Sequence, residues 1–208
     1  MTENNAKIVR FHETGSSSVL KIEALPLTEP GPDEVRIKVE AFGLNRAEIM
    51  FRSGAYLVAP TFPSRIGYEA SGTIDSIGSN ITDFQIGDRV STIPALSMSE
   101  FGVYGESVTL DASAVSKYPA NLSTVEGTAI WMQYITAYGA LIDIGKLSAG
   151  QTVMITAASS SVGIAAIQIA KSVGANIIAT TRGASKVQSL TDAGADHVIQ
   201  TENETLSE

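Results

Sequence analysis

The segment that most constrains this chain is an apolar run that enters a turn of small residues and continues as a helix. Residues 151–171 read QTVMITAASSSVGIAAIQIAK. The apolar pattern predicts a β-strand at about 152–156 and a helix from about Ser161. Small side chains between them leave backbone N–H groups and the positive end of the helix dipole accessible at one point. This arrangement predicts a site for the pyrophosphate of a dinucleotide.

The turn departs from the usual glycine motif. Ala158, Ser160 and Gly163 occupy the three places of G-x-G-x-x-G, so only the last is a glycine. The predicted strands and helix after the turn support a nucleotide-binding unit more strongly than the motif does. A second apolar run covers Asn176–Thr181, a helical segment follows at about 184–193, and a third strand is expected at 196–199. This alternation predicts a parallel βαβαβ unit; the alternative is an apolar helix on the sheet of another α/β fold.

The first 120 residues have a different pattern. Residues 34–41 alternate strictly and place Val35, Ile37, Val39 and Ala41 on one face, which predicts a half-buried strand. Further short strands, each bounded by Gly, Pro, Asn or Ser, are expected at 72–77, 88–92 and 105–110. This spacing is typical of an antiparallel barrel or sandwich.

Helical pattern begins near Ser123, where Glu126 three residues later predicts a capping box. The sequence therefore predicts a β-rich substrate domain over 1–122 and, over 123–208, the first half of a nucleotide-binding domain. The apolar segment 127–142 contains Gln133 and is shorter than the roughly 20 residues that a membrane span needs. We expect a buried helix there.

Composition excludes several classes of function. A net charge of −8 and a pI near 4.8 argue against a nucleic-acid partner, because no basic stripe is present. The absence of cysteine excludes disulfides and thiolate zinc sites. Residues 1–7 are polar and contain no hydrophobic signal core. We expect a cytoplasmic protein with no membrane partner.

The domain order and five segments together resemble the medium-chain dehydrogenase/reductase superfamily, in its zinc-independent quinone oxidoreductase branch. The resemblance covers essentially the whole chain. Its segments are GLNRAEIMFRSGAY at 43–56, PSRIGYEASG at 63–72, GDRV at 87–90, TAY at 136–138 and AASSSVG at 157–163. It implies a fold of class α/β plus β, with a GroES-like β-barrel domain followed by a partial Rossmann domain, a doubly wound parallel sheet. Members of the superfamily are longer, so the chain is expected to be a fragment or a shortened product that needs a partner chain.

The resemblance also implies a reductase that works without metal. Zinc alcohol dehydrogenases of the superfamily have a cysteine where this chain has Asn45 and a histidine where it has Tyr68. Both ligands are replaced here. Glu69 is then expected to be a structural remnant and not a metal ligand.

Without a metal, charge that develops on a substrate oxygen must meet hydrogen-bond donors, each worth about 3–4 kcal/mol of barrier lowering. The resemblance implies that Asn45 reaches the nicotinamide side of the pocket and that Tyr56 lies at the substrate. Arg52 and Tyr68 are further catalytic candidates. The open alternatives are that Asn45 caps the helix at 47–52, that Tyr56 is an ordinary half-buried phenol, that Arg52 is solvated, and that Tyr68 fills the space of the missing ligand.

Cofactor preference is read from residues 180–186, TTRGASK, where NAD-binding folds place a carboxylate about 20 residues beyond the glycine turn. This segment has none. Arg182 and Lys186 can pair with a 2′-phosphate, and Thr181 or Ser185 can add a hydroxyl. The alternative is that both cations are surface charges at a helix start. The prediction is NADPH, held by Asn45, Thr136, Ala158, Ser160, Ser161, Val162, Gly163, Thr181, Arg182 and Lys186.

The resulting hypothesis is hydride transfer from NADPH to a quinone or α,β-unsaturated carbonyl. Two alternatives stay open: a non-catalytic NADPH-binding or scaffold fragment, and a zinc-free alcohol or aldehyde dehydrogenase. A short-chain dehydrogenase is disfavoured, because the nucleotide turn is far from the N-terminus and no Tyr-x-x-x-Lys occurs. The expected partner is a small carbonyl substrate, and a homodimer is left open.

Overall fold

The computed structural model describes residues 5–203 and divides into two compact units, Met1–Trp131 and Met132–Glu208. The division lies nine residues after the limit at 122/123 that the sequence predicts. Each unit has its own hydrophobic core. Phe11, Ile37 and Ile74 are among the fully buried side chains of the first core, and Ile167 and Leu190 of the second.

The first unit is built from antiparallel strands. β1 (Asn5–Arg10) and β2 (Lys21–Pro26) form a two-stranded ribbon. The other strands form one sheet in the order β6-β3-β4-β5-β7, in which all neighbours are antiparallel. Their bounds are β3 Glu34–Phe42, β4 Ala70–Ile77, β5 Arg89–Thr92, β6 Ser107–Asp111 and β7 Val115–Lys117. The predicted antiparallel β-domain is confirmed.

The central strand β3 shows how the predicted alternation is used. Val35 and Ile37 are fully buried, as expected from the apolar face. Arg36 between them is also buried, because its Nε donates to Asp75 Oδ1 at 2.8 Å and its Nη1 to Glu29 Oε1 at 3.0 Å. At this end of the strand, one face is therefore buried in the core, and ion pairs of Arg36 cover the other face.

Three short helices complete the first unit: α1 Arg46–Arg52, α2 Met98–Phe101 and α3 Thr124–Thr128. The predicted capping box at the start of α3 is confirmed. Ser123 Oγ accepts from the Glu126 N–H at 3.2 Å, and the Glu126 carboxylate accepts from the Ser123 N–H at 2.8 Å. Helix α3 packs against β3, β4 and β5, which explains why the first unit extends past residue 122.

The second unit begins within α4 (Trp131–Tyr138), which continues as a π-helical turn at Gly139–Ile144. The buried helix expected over 127–142 is wrong. The chain turns between α3 and α4, and Ile135 and Tyr138 keep 43% and 51% of their surface exposed. Hydropathy counts apolar side chains but does not say which neighbours cover them. In residues 5–203, no helix has the length and apolar character to cross a membrane.

The predicted βαβαβ unit is confirmed in the rest of the second unit. Strands β8 (Thr152–Ile155), β9 (Asn176–Thr181) and β10 (His197–Gln200) are parallel, in the order β10-β9-β8. Helix α5 (Ser161–Ser172) packs against β8 and β9. Helix α6 (Val187–Ala193), preceded by a 3₁₀ turn at Ala184–Lys186, packs against β10 and α5. The carboxyl ends of the three strands therefore lie at one edge of the sheet.

Candidate functional site

The turn after β8 is held by local hydrogen bonds at the start of α5. Ser160 is the N-cap residue, and its Oγ accepts from the Gly163 N–H at 3.1 Å. The Ser160 N–H donates to the Ala157 carbonyl at 2.9 Å. Ala157 has φ +48°, a left-handed conformation that glycine adopts more readily than alanine. The turn thus has the tight geometry of a phosphate-binding loop, built with alanine and serine.

Gly163 allows the helix to pack closely on this turn. A Cβ atom at residue 163 would lie 2.4 Å from the Ala158 carbonyl oxygen and 2.6 Å from the Ala158 carbonyl carbon. Ala158 itself is fully buried, and its N–H donates to the Thr180 carbonyl at 3.0 Å. The turn is therefore fixed to the end of β9, and no side chain fits at residue 163 without moving backbone.

An open cleft of about 700 Å³ lies at the carboxyl edge of the parallel sheet. This is the place where open α/β sheets bind their ligands. Its lining residues come from the turn after β8, from the end of β9 and the turn that follows, and from the segment after β10. They are Ala157, Ser159, Ser160, Thr180, Thr181, Arg182, Gly183, Ser185, Lys186, Thr201 and Glu202.

One side of this cleft carries two cations, Arg182 and Lys186, and the hydroxyl of Ser185. All three residues are exposed. Within residues 5–203, the side chains of these three residues make no hydrogen bond or ion pair. Two cations and a hydroxyl are therefore available to a ligand, and together they match the oxygens of a phosphate group.

A carboxylate also lines the cleft, which corrects the expectation drawn from residues 180–186. Glu202 comes from the segment after β10, and its Oε2 lies 3.0 Å from the position that a Cβ at Gly183 would take. The sequence pattern of one strand end did not reveal it, because the residue is contributed by the neighbouring strand.

Eight of the ten predicted cofactor residues belong to the cleft or to the turn beside it, and two do not. Four of them line the cleft: Ser160, Thr181, Arg182 and Lys186. Four more belong to the same turn and helix start without lining it: buried Ala158 and Gly163, and exposed Ser161 and Val162. Thr136 lies on α4, where its hydroxyl donates to the Met132 carbonyl at 2.6 Å. Asn45 belongs to the first unit. Sequence reasoning missed Ala157, Ser159, Thr180, Gly183, Thr201 and Glu202.

In the first unit, Asn45 is the N-cap residue of α1, one of the two alternatives open from sequence. Its side-chain Nδ2 donates to Glu69 Oε1 at 3.0 Å and to Glu48 Oε1 at 3.3 Å. Its backbone N–H donates to Glu48 Oε2 at 2.5 Å. Both amide hydrogens thus point at carboxylates, and in this conformation none is left to donate to a substrate oxygen.

The two carboxyl groups around Asn45 are buried, with 2% of Glu48 and 4% of Glu69 exposed. Burial raises the pKa of Glu48, and hydrogen bonds from Asn45 and from the Tyr68 N–H oppose that rise. Gly43 makes room for Glu69, because a Cβ at residue 43 would lie 2.2 Å from Glu69 Oε1. We call Asn45, Glu48 and Glu69 the carboxyl cluster.

The predicted aromatic residues pack beside the carboxyl cluster. The rings of Tyr56 and Tyr68 lie 6.4 Å apart, and both are half-buried. Burial, followed by hydrogen bonding to Tyr56, raises the pKa of Tyr68. Its hydroxyl therefore stays protonated and can donate a hydrogen bond. Arg52, the remaining catalytic candidate, donates from Nη1 to the Gly15 carbonyl at 2.7 Å, a contact that ties α1 to the loop after β1.

The described part of the chain, residues 5–203, contains no group of three or more His, Cys, Asp or Glu side chains that could hold a metal ion.

Comparison with known proteins agrees with this architecture. Residues 31–120 match the family described as "Alcohol dehydrogenase GroES-like domain", and residues 161–208 match "Zinc-binding dehydrogenase". A human quinone oxidoreductase is 38% identical over 177 residues, which cover 84% of this chain and 52% of the relative. The chain thus spans about half the length of the human relative.

Two solved structures are similar over almost the whole chain. The quinone oxidoreductase of Escherichia coli, complexed with NADPH, gives a TM-score of 0.84 at 29% identity and covers 97% of this chain and 60% of its own. An NAD-dependent alcohol dehydrogenase gives a TM-score of 0.89 at 31% identity, with 94% and 64% covered. The antiparallel first unit, the parallel second unit and these matches together show that the chain belongs to the medium-chain dehydrogenase/reductase superfamily, in its quinone oxidoreductase-like branch.

Proposed function

We propose that this chain contains the substrate domain and the first half of the nucleotide domain of an NADPH-dependent, zinc-independent reductase. The proposed reaction is hydride transfer to a quinone or an α,β-unsaturated carbonyl. The observation that supports it most directly is the cleft at the carboxyl edge of the parallel sheet, where Arg182, Ser185 and Lys186 stand unpaired within residues 5–203. The similarity to a quinone oxidoreductase complexed with NADPH supports the same assignment.

The residues of the cleft fit a dinucleotide. The turn from Ala157 to Ser160 and the start of the 12-residue helix α5 offer backbone N–H groups and a positive dipole end to the pyrophosphate. The planar guanidinium of Arg182 and the ammonium of Lys186 would hold the 2′-phosphate, and Ser185 would add a hydroxyl. A bound nicotinamide cofactor would supply the hydride.

On the substrate side, we assign hydrogen-bond donation to the hydroxyls of Tyr56 and Tyr68. Burial and hydrogen bonding to Tyr56 raise the pKa of Tyr68, so the Tyr68 hydroxyl stays protonated. The carboxyl cluster fixes the start of α1, the helix that leads to Tyr56. Asn45 therefore contributes by holding this segment in place, and Arg52 by anchoring the helix to Gly15.

Binding tests the cofactor assignment. We expect NADPH to bind roughly 10- to 100-fold more tightly than NADH, because a charge-assisted contact is worth about 1.5–3 kcal/mol. Arg182→Ala should remove most of this difference by weakening NADPH alone, and added salt should shrink it. Lys171→Ala, which removes an exposed cation of α5 outside the cleft, is the matched control. A wild type that prefers NADH would refute the assignment.

Turnover tests the reaction. We expect the protein to oxidise NADPH in the presence of quinones or enones, and a panel of acceptors distinguishes these from aldehydes and ketones. Tight NADPH binding without turnover of any acceptor would favour the non-catalytic, NADPH-binding alternative. Reduction of aldehydes alone would favour a zinc-free alcohol dehydrogenase.

Elemental analysis tests the proposal that the reaction does not depend on zinc. With asparagine and tyrosine at residues 45 and 68, we expect no stoichiometric zinc and no effect of chelators on NADPH binding. One zinc per chain, lost together with activity, would contradict the zinc-independent mechanism. The homodimer and the cytoplasmic location stay predictions.

A further inference from the structure

We infer that Glu202 is a specificity-determining residue that limits the preference of this cleft for a 2′-phosphate over a free 2′-hydroxyl. The inference rests on the proposed function, since it concerns the same adenosine end of the nucleotide site. It assigns to one cleft two groups with opposite preferences: the cations Arg182 and Lys186 favour the phosphate, and the carboxylate of Glu202 opposes it.

The backbone fixes where Glu202 stands. Beyond the last paired residues of β9 and β10, Thr181 and Gln200, the Thr201 N–H donates to the Thr181 carbonyl at 2.9 Å. The Glu202 N–H then donates to the Arg182 carbonyl at 3.1 Å. These two bonds extend the parallel pairing past the strand ends. Glu202 is thereby held opposite Arg182 by main-chain contacts that do not depend on side-chain charge.

The missing side chain of Gly183 leaves room for the carboxylate. Glu202 Oε2 lies 3.0 Å from where a Cβ at residue 183 would be, so a side chain there would force the carboxylate to shift. Glu202 and Arg182 both line the cleft, yet no ion pair within 4.0 Å joins their side chains in residues 5–203. The carboxylate is thus available to a ligand and is not neutralised by its cationic neighbour.

The chemistry of the two nucleotides then decides the sign of the effect. A carboxylate is a hydrogen-bond acceptor, and a ribose 2′-hydroxyl can donate to it. A 2′-phosphate carries negative charge and is repelled by the same group. Because the site is exposed, the repulsion is screened and should amount to a factor of about three to ten in affinity. Glu202 therefore reduces the preference for the 2′-phosphate over the 2′-hydroxyl that Arg182 and Lys186 create.

Fragments of the cofactor isolate this effect, because they require only the adenosine end of the site. We would measure dissociation constants of adenosine 2′,5′-bisphosphate and of adenosine 5′-phosphate by titration calorimetry at low salt. In Glu202→Gln, the bisphosphate should bind about three- to tenfold more tightly than in the wild type, and the monophosphate should bind equally or more weakly. Glu202→Lys should extend the same trend.

Asp143→Asn is the control, because it removes one exposed acid from the same unit outside the cleft. Equal shifts in Glu202→Gln and Asp143→Asn would overturn the inference, since the effect would then be one of net charge. Bisphosphate affinity unchanged in both Glu202 variants, with the wild type still preferring it over the monophosphate, would overturn the inference and leave the proposed function standing. Failure of the wild type and of both Glu202 variants to bind either fragment would overturn both.

Discussion

The two polar sites of this chain use charge in opposite ways. In the cleft of the second unit, Arg182, Lys186 and Glu202 are exposed and form no ion pair within residues 5–203. In the carboxyl cluster of the first unit, Glu48 and Glu69 are buried and their acceptor oxygens meet the amide of Asn45. The first arrangement leaves interactions for a ligand, and the second uses them to hold the protein.

This difference predicts where substitutions act. A change of a charged side chain in the cleft should alter nucleotide affinity and leave the free energy of unfolding nearly constant, because exposed charges contribute little to stability. A change in the carboxyl cluster should lower the free energy of unfolding, because it removes hydrogen bonds from buried polar groups. The four predictions below test this separation, from the largest expected effect to the smallest.

Gly163→Leu should lower both nucleotide affinity and the free energy of unfolding. The new side chain would clash with the Ala158 backbone, which both forms the nucleotide turn and is fixed to β9. We expect nucleotide affinity to fall by more than about 100-fold and the free energy of unfolding to fall by about 3 kcal/mol. Gly139→Ala is the control, because nothing lies within 4 Å of its added Cβ. Unchanged NADPH binding in Gly163→Leu would place the nucleotide elsewhere.

Asn45→Ala tests the buried cluster against an exposed capping box. The substitution replaces the N-cap asparagine of α1 and removes the donor shared by two buried carboxyl groups, so we expect a loss of about 2–3 kcal/mol in urea unfolding. Ser123→Ala removes the cap of α3, whose partner Glu126 is exposed, and should cost about 1 kcal/mol. Binding of adenosine 2′,5′-bisphosphate should be unchanged in both. Equal losses would mean that burial of the carboxyl groups does not matter.

The contributions of Glu48 and Glu126 to stability should depend on pH with opposite signs. The pKa of Glu48 is raised in the folded chain, so its ionisation is disfavoured by folding, and its contribution to stability falls as pH rises from the unfolded value of 4.5 through the folded pKa. The pKa of Glu126 is lowered by hydrogen bonds from Ser123, so its contribution is present above 4.5 and is lost as pH falls through the folded pKa.

Urea unfolding of Glu48→Gln and Glu126→Gln at several pH values measures this. Relative to the wild type, the first variant should gain stability as pH rises and the second should lose it. Parallel pH profiles for the wild type and Glu48→Gln would contradict the raised pKa.

Ala157→Gly should give the smallest effect. A left-handed alanine costs about 1–2 kcal/mol, and the added flexibility of glycine in the unfolded chain cancels part of the relief. We expect a net gain of about 0.5 kcal/mol and little change in nucleotide affinity. Ala158→Gly, at a fully buried neighbour without positive φ, should instead lose about 1 kcal/mol. A gain in Ala158→Gly equal to that in Ala157→Gly would refute the conformational explanation.

Much of the second unit could be predicted because its signals are local. An apolar run, a serine N-cap and a small-residue turn occur together at 152–163, and β9 was predicted with its observed bounds. The ribbon of β1 and β2 was missed: β1 buries only Ala6 and Ile8, and β2 buries no residue. The strand β7 has only three residues, too few for a period to appear.

In the two sites, too, contacts between residues close in sequence could be predicted more easily than contacts between distant ones. Glu48 could have been assigned to Asn45 from its position three residues along, the spacing of a capping box. Glu69 could not, because it approaches Asn45 through the pairing of Phe42 with Ala70 across the sheet. Glu202 lies between these cases. Parallel strands end at one edge, so the residues after β10 could have been considered together with those after β9.

Asn45 also bears on how easily a metal site could be introduced at this position. Replacing it by cysteine and Tyr68 by histidine would restore the ligand types of the zinc enzymes, but the first change alone removes the N-cap asparagine of α1. It also leaves Glu48 and Glu69 without the amide between them. The single mutant should therefore be less stable than either the starting protein or a metal-loaded double mutant, in which a divalent cation would offset the paired negative charge. An engineering route to a zinc enzyme would have to make both changes together, or first stabilise α1 elsewhere.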